Sequence, residues 1–438
     1  MSSADIVLAH GIGTRTDLPI PAWLALWGGA IAVLVSFAAL LLFWRRPKLG
    51  ENTAGRALPD GLQRLVDSPV FRRILQAVVL AVALVVTAAA LIGPSETTAN
   101  VAPWVVYITF WVGLVPASLL LGPVWRVVNP LRLLHRGLAQ LTGPAPAAAR
   151  LPQLGLWPAA AALAVFVWLE LVYPERAQPS TVGTFLVLYG VVQLVASLWY
   201  GEGWFARGDG FEVYSSLIAR MSPWGRREDG RLALRNPLTN ARTLRTEPGL
   251  PAVVVVLLGS TTFDGLTRTE YWQTGPGAAN DTLSGTLGLV AMVAVVGLFY
   301  WLAARTTGSL AGLPRSEQPR EYAHTLIPIA IGYTVAHYFS LLLIDGQTTW
   351  ILASNPFATE GTDLFGTYSN RIDFTAVSPD TIAYTQVGAV VLGHVLGVML
   401  SHEQALRSGT RSRASDQLPL VLVMTVYTFF GLGLLFGF

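Results

Sequence analysis

The sequence predicts an all-α, polytopic membrane helix bundle of about ten transmembrane helices, with both termini outside. Three observations carry that expectation. Hydrophobic residues make up 53% of the 438 positions and charged residues 13%, about half the charged share of an ordinary soluble domain. The apolar residues fall in blocks of roughly 20, the length a helix needs to cross a bilayer. Basic residues then alternate in density from one connecting loop to the next, as the positive-inside rule requires.

The spans expected in order are 21–44, 74–93, 103–121, 156–174, 182–200, 248–268, 282–303, 321–344, 382–400 and 417–438. Residues 1–20 lack the basic start, short apolar core and small-residue cleavage site of a signal peptide, so they are expected as an external segment. The first span ends on Arg45-Arg46, which holds its N-terminal side outside. Alternating from there, the cytoplasmic loops (45–73, 122–155, 201–247, 304–320, 401–416) hold 25 of the 29 basic residues. The external segments hold four: Arg15, Arg176, Arg268 and Arg371. A missed or invented helix would scramble this division. It also accounts for the net charge of +3 without nucleic acid as a partner; the expected partner is the lipid bilayer, in a plasma membrane.

Two cytoplasmic stretches share a pattern. GPVWRVVNPLRLLHRGLAQL (122–141) and GEGWFARGDGFEVYSSLIARM (201–221) each run Gly, two residues, Trp, a polar turn and an amphipathic stretch. One inserted residue brings them into register, so duplication of a helix pair is one reading. Both are expected as short interfacial helices on the cytoplasmic side, Trp at the headgroup level. His135 is expected as a surface residue of the first. The long external loop 345–381 is polar and is expected as a solvated loop, with capping of a cavity as the alternative.

The absence of cysteine excludes disulfides, zinc–thiolate and iron–sulfur sites and thiol nucleophiles. There is no Gly-rich phosphate loop, no HExxH, no GxSxG, and only one lysine, Lys48. Chemistry is therefore sought in ionisable groups inside the spans, which are costly there and mark functional sites. Glu170, Asp264 and His337 lie roughly 21, 24 and 24 Å above the cytoplasmic ends of their spans, at about 1.5 Å of rise per residue. Three spans thus bring two acids and an imidazole to one layer in the outer half. GSTTFDG (259–265) interrupts the apolar run of the sixth span, and a broken helix or kink is expected there. Carboxylate and imidazole together suit zinc, manganese or iron, so His337, Asp264 and Glu170 are the candidate metal ligands. Simple solvation of the two acids at the external interface is the plain alternative. Further candidates are His394, His324 and His10. His324 and His337 stand about 220° apart around a helix, so His324 should face elsewhere, towards His402. Two haems do not fit the unequal histidine spacings on spans eight and nine, and a single haem between His337 and His394 needs generous boundary errors. Glu321-x-x-His324 has the spacing of a di-metal carboxylate motif, but no second copy exists, and an interfacial role is expected.

AHGIGTRTDLPIPAWL (9–24), GPVWRVVNPLR (122–132), WLELVYP (168–174), GFEVYSSLIARMSPWGRR (210–227), LLGSTTFDGL (257–266), YAHTLIPIAIGYTVAHYFSLL (322–342) and QVGAVVLGHVLGVMLSHEQAL (386–406) resemble actinobacterial and haloarchaeal membrane proteins described as fenitrothion hydrolases. The resemblance spans nearly the whole chain and implies hydrolysis of an organophosphorus triester. It transfers no site residue. Two readings follow. One is a metal-dependent hydrolase acting on a lipophilic small-molecule ester that enters from the bilayer, the ion supplying hydroxide near neutral pH. The other is an ion- or solute-coupled permease built round the sixth span. A subunit of a respiratory or copper-handling assembly is a third, weaker option.

Overall fold

The computed structural model describes residues 21–50, 55–310, 312–314, 317–408 and 414–436. His10 lies outside them. The ten expected spans appear as α1 (Ala22–Phe43), α2 (Pro69–Ile92), α3 (Val101–Leu121), α4 (Trp157–Leu171), α5 (Pro179–Tyr200), α6 (Leu250–Thr267), α7 (Thr282–Leu310), α8 (Ile327–Leu343), α9 (Pro379–Ser408) and α10 (Ala414–Leu435). Among the described residues nine are long and apolar enough to cross a membrane. The tenth, α4, qualifies together with Ala148–Leu154, from which it bends by 67°. Gly155 makes that corner with φ +54°, and the Pro248 carbonyl seated against it accepts from the Leu156 amide at 2.7 Å. The chain is an all-α multi-pass membrane protein. Rows such as Val78, Val82 and Val85 on α2, and Leu188, Val192 and Val195 on α5, stay exposed, as lipid-facing surfaces do.

The central pair is α8 against α9. Gly332 and Gly393 let their backbones touch: a Cβ on Gly332 would fall 2.4 Å from the Ala389 carbonyl oxygen. Small residues at such crossings replace the hydrophobic drive that lipid removes.

Loops that the charge alternation assigns to one side do meet. Strands β1 (Arg56–Ala57), β2 (Trp224–Arg226) and β3 (Leu232–Leu234) form an antiparallel sheet in the order β1-β3-β2, pairing Arg56 and Trp224 with Leu234. The buried Glu403 carboxylate on α9 accepts from the Trp44 indole, the Lys48 and Leu49 amides and Arg407, which ties down the chain after α1. At the opposite end, the Tyr107 hydroxyl donates to the Arg176 carbonyl, and Thr97 to Ala177.

Four expectations need correction. The sixth span is one continuous helix: the hydroxyls of Ser260, Thr261 and Thr262 bond back to the carbonyls of Leu257 and Leu258, so polar residues are absorbed without a break. Gly259 serves packing, since a Cβ there would lie 2.6 Å from the Val293 backbone on α7. The irregular backbone sits in α3 instead, as a π-helical stretch over Val105–Val112. The second patterned stretch is not interfacial, because Gly210–Ile218 is buried on nearly every side, whereas Pro130–Thr142 keeps Leu138 exposed and leads into a polar turn. His135 is buried too, its Nδ1 3.0 Å from the Ser197 hydroxyl. Finally, the loop after α8 begins with a helix, Gly346–Ala353, whose Thr349 bonds Thr109 on α3 at 2.8 Å; the segment from 360 onward is largely exposed.

Candidate functional site

The layer of acids and imidazole forms between α4, α6 and α8. Asp264 sits one turn from the end of α6, and its Oδ2 lies 2.6 Å from His337 Nε2. Tyr338, the next residue on α8, donates to the same oxygen at 3.2 Å. Arg268, four residues along α6, reaches it at 3.4 Å and links the pair to the less buried helix end. Asp264 and His337 are each 4% exposed. Plain solvation at the interface is therefore excluded for Asp264.

Glu170, on α4, is half-buried and close enough to Asp264 for their charges to interact. Among the described residues no hydrogen bond or ion pair holds its carboxylate. It lines a small cavity with Ser260 and Thr261 of α6, Thr334 and Tyr338 of α8, and Trp111 of the π-helical stretch. The wide turns of that stretch carry Trp111 onto Tyr214, with which it stacks at 4.5 Å. A second cavity continues from the first. Tyr214, Leu257 and Thr334 border both, and the second runs between Leu217, Ile218, Val254 and Ile327 with an almost wholly apolar lining.

The remaining histidines stand apart. His394 is fully buried on α9, its Nδ1 on the Val390 carbonyl and its ring between Tyr333 and Tyr427 at 6.1 Å from each; its Nε2 has no partner. His324 is also buried with Nε2 unpartnered. It does not pair with His402, whose Nδ1 meets Gln417 and whose Nε2 meets the Trp44 carbonyl. Glu321 accepts from Gln404. Among the described residues no three His, Asp or Glu side chains are grouped closely enough to hold one metal ion.

Sequence reasoning missed a second polar cluster, nearer the basic end. Asn129 and Asp209 each cap a helix start and hydrogen-bond to one another at 2.8 Å. Three residues beyond each cap, Arg132 and Glu212 form a bidentate pair at 2.9 and 2.6 Å. Tyr189 donates to Asp209 at 2.7 Å, and Glu202 bridges Arg132 and Arg136. Burial, with Glu212 beside it, pushes the Asp209 carboxyl up to about 6 despite its hydrogen bonds. The signal was present in the two aligned stretches. Asn129 aligns with Asp209 and Arg132 with Glu212, so matching positions of the two carry complementary groups and meet.

Comparison with family models, curated proteins and solved structures gives no match for this chain.

Proposed function

We propose that the protein is a proton-coupled permease for a small solute, with Glu170, Asp264 and His337 as its proton-exchanging groups. The observation that carries this reading is the unpaired Glu170 carboxylate in a cavity beside the Asp264–His337 pair. A carboxylate within a helix bundle costs free energy unless it is paired or used, and acid–histidine chains are the usual proton relays of transporters. The apolar cavity beyond Tyr214 and Thr334 serves as the constriction separating the site from the basic end. Solute and proton reach Glu170 from the end marked by Arg268, and movement of α8 against α6 opens the constriction. The continuous α6 is no obstacle, since Ser260 and Thr261 still present polar groups to the cavity while their hydroxyls donate to the Leu257 carbonyl.

The test uses proteoliposomes loaded with a pH-sensitive dye and a panel of small organic cations, anions and neutral solutes, with a pH gradient imposed. One solute class should drive proton movement, lost in Glu170→Gln and strongly reduced in Asp264→Asn. A wild type silent to every class, or no different from Glu170→Gln, defeats the proposal.

The metal-dependent hydrolase is the second reading, favoured by the Asp264–His337 hydrogen bond, because a carboxylate commonly orients a metal-binding imidazole. Zinc, manganese or iron would be held by His337, Asp264 and Glu170, and a lipophilic ester would be the substrate. The Arg268 guanidinium on Asp264 opposes a cation there. Elemental analysis separates the readings: a tightly held ion lost in His337→Ala transfers the site to the hydrolase. Residence in the plasma membrane belongs to both proposals.

A further inference from the structure

The basic end carries charge in a form that topology alone does not explain. The positive-inside rule places arginines on one side of a membrane; it gives no reason to bury them unpaired. Arg235 follows β3 and is 9% exposed, yet among the described residues its Nε and Nη1 have no hydrogen-bond partner. Its backbone is fixed, with the amide donating to the Pro223 carbonyl at 2.8 Å. Its guanidinium lies against Gly225, where a Cβ would fall 2.3 Å from Nε. Arg220, on the short turn Ala219–Met221, is half-buried and likewise meets no carboxylate among the described residues. Burial, and the like charges of Arg235, Arg126 and Arg245, hold its pKa below the ordinary arginine value.

The contrast with neighbouring arginines is direct. Arg226, Arg227, Arg231 and Arg207 each have a carboxylate: Asp67, Asp229, Asp60 and Glu247. Four acids of this end are thus taken by other arginines. Arg126 and Arg245, both exposed, lie close enough for their charges to act on Arg220, and among the described residues none of the four guanidinium groups is ion-paired. Unmade hydrogen bonds on a buried guanidinium are costly, and so is mutual repulsion; an oxyanion offsets both, and the planar fork of arginine fits phosphate oxygens two at a time.

We propose that Arg235, Arg220, Arg126 and Arg245 form a binding site for a phosphate-bearing anion. The same chemistry is offered by the headgroup of an anionic phospholipid and by a free phosphate group. The site stands whether or not the permease reading does, since it shares no residue with the Glu170 cavity.

The test follows thermal unfolding of the purified full chain by tryptophan fluorescence. One arm titrates inorganic phosphate in neutral detergent at constant ionic strength set with chloride. The other compares nanodiscs of phosphatidylcholine with and without phosphatidylglycerol. A rise in the wild type's Tm in either arm is expected, removed by Arg235→Gln and reduced by Arg220→Gln. Gly225→Ala should remove it as well, because the added methyl displaces the guanidinium without changing charge. Arg231→Gln, whose arginine pairs with Asp60, should keep it. Stabilisation by phosphate in detergent assigns a free phosphate group; stabilisation by phosphatidylglycerol alone assigns a lipid headgroup. No stabilisation in either arm, or an equal shift in Arg235→Gln and Gly225→Ala, overturns the site.

Discussion

Asp209 is a residue outside the spans whose ionisation couples to folding. Its carboxyl is pushed up to about 6 by burial and by Glu212, against an ordinary value of 3.8. A folded-state pKa above the unfolded one means that the folded protein binds more protons between those values. That contribution to stability is full below about pH 4 and is lost as pH rises through about 6. In detergent, therefore, Asp209→Asn should flatten the fall in Tm between those limits, with the wild-type slope as reference. An unchanged slope would show that another group carries the pH dependence. At this scale the sequence was legible where cost was the guide: Asp264 and His337 are expensive in a span, and they are found together. It was illegible where cost is hidden by pairing. Asn129, Arg132, Asp209 and Glu212 sit in loops by hydropathy, and the alignment of the two stretches pairs their positions without saying that the groups are buried against each other.

Elements were legible wherever length and apolarity decide, which explains why nine helices long and apolar enough to cross a membrane, and a tenth with its bent partner, lie where spans are expected. The sixth span shows the limit of reading polarity as irregularity. Ser and Thr can return their hydroxyls to the preceding turn, so GSTTFDG stays helical, while the mostly apolar Val105–Val112 adopts π-helical turns that hydropathy cannot signal. The three strands are too short, at two or three residues each, to leave an alternating pattern. The α8–α9 contact is where element packing is most sensitive. Gly332→Ala places a methyl against the Ala389 carbonyl, and backbone cannot yield as a side chain does. The expected cost is about 1–3 kcal/mol, the range for overpacking, with a matching fall in Tm. Gly388→Ala on α9, where a Cβ meets nothing within 4 Å, should be neutral and serves as the control.

The whole molecule places its costly groups in two tiers. Near one end, Glu170 and Tyr338 line a cavity and Tyr338 also bonds Asp264 of the Asp264–His337 pair; towards the basic end, the Asn129–Asp209 and Arg132–Glu212 pairs are closed upon themselves. A small apolar cavity lies between Gly210–Ile218, α6 and α8. On the permease reading the closed tier holds the bundle together, and Glu170, which no hydrogen bond holds among the described residues, exchanges protons beside the Asp264–His337 pair. The most direct measurement of that claim is infrared difference spectroscopy of the purified protein as pH is stepped. Beside the contribution of Asp209, the account predicts a component of the carboxyl signal that appears and disappears with pH, is absent in Glu170→Gln, and shifts in Asp264→Asn. A carboxyl signal that does not change with pH, or one that persists unaltered in Glu170→Gln, would contradict it.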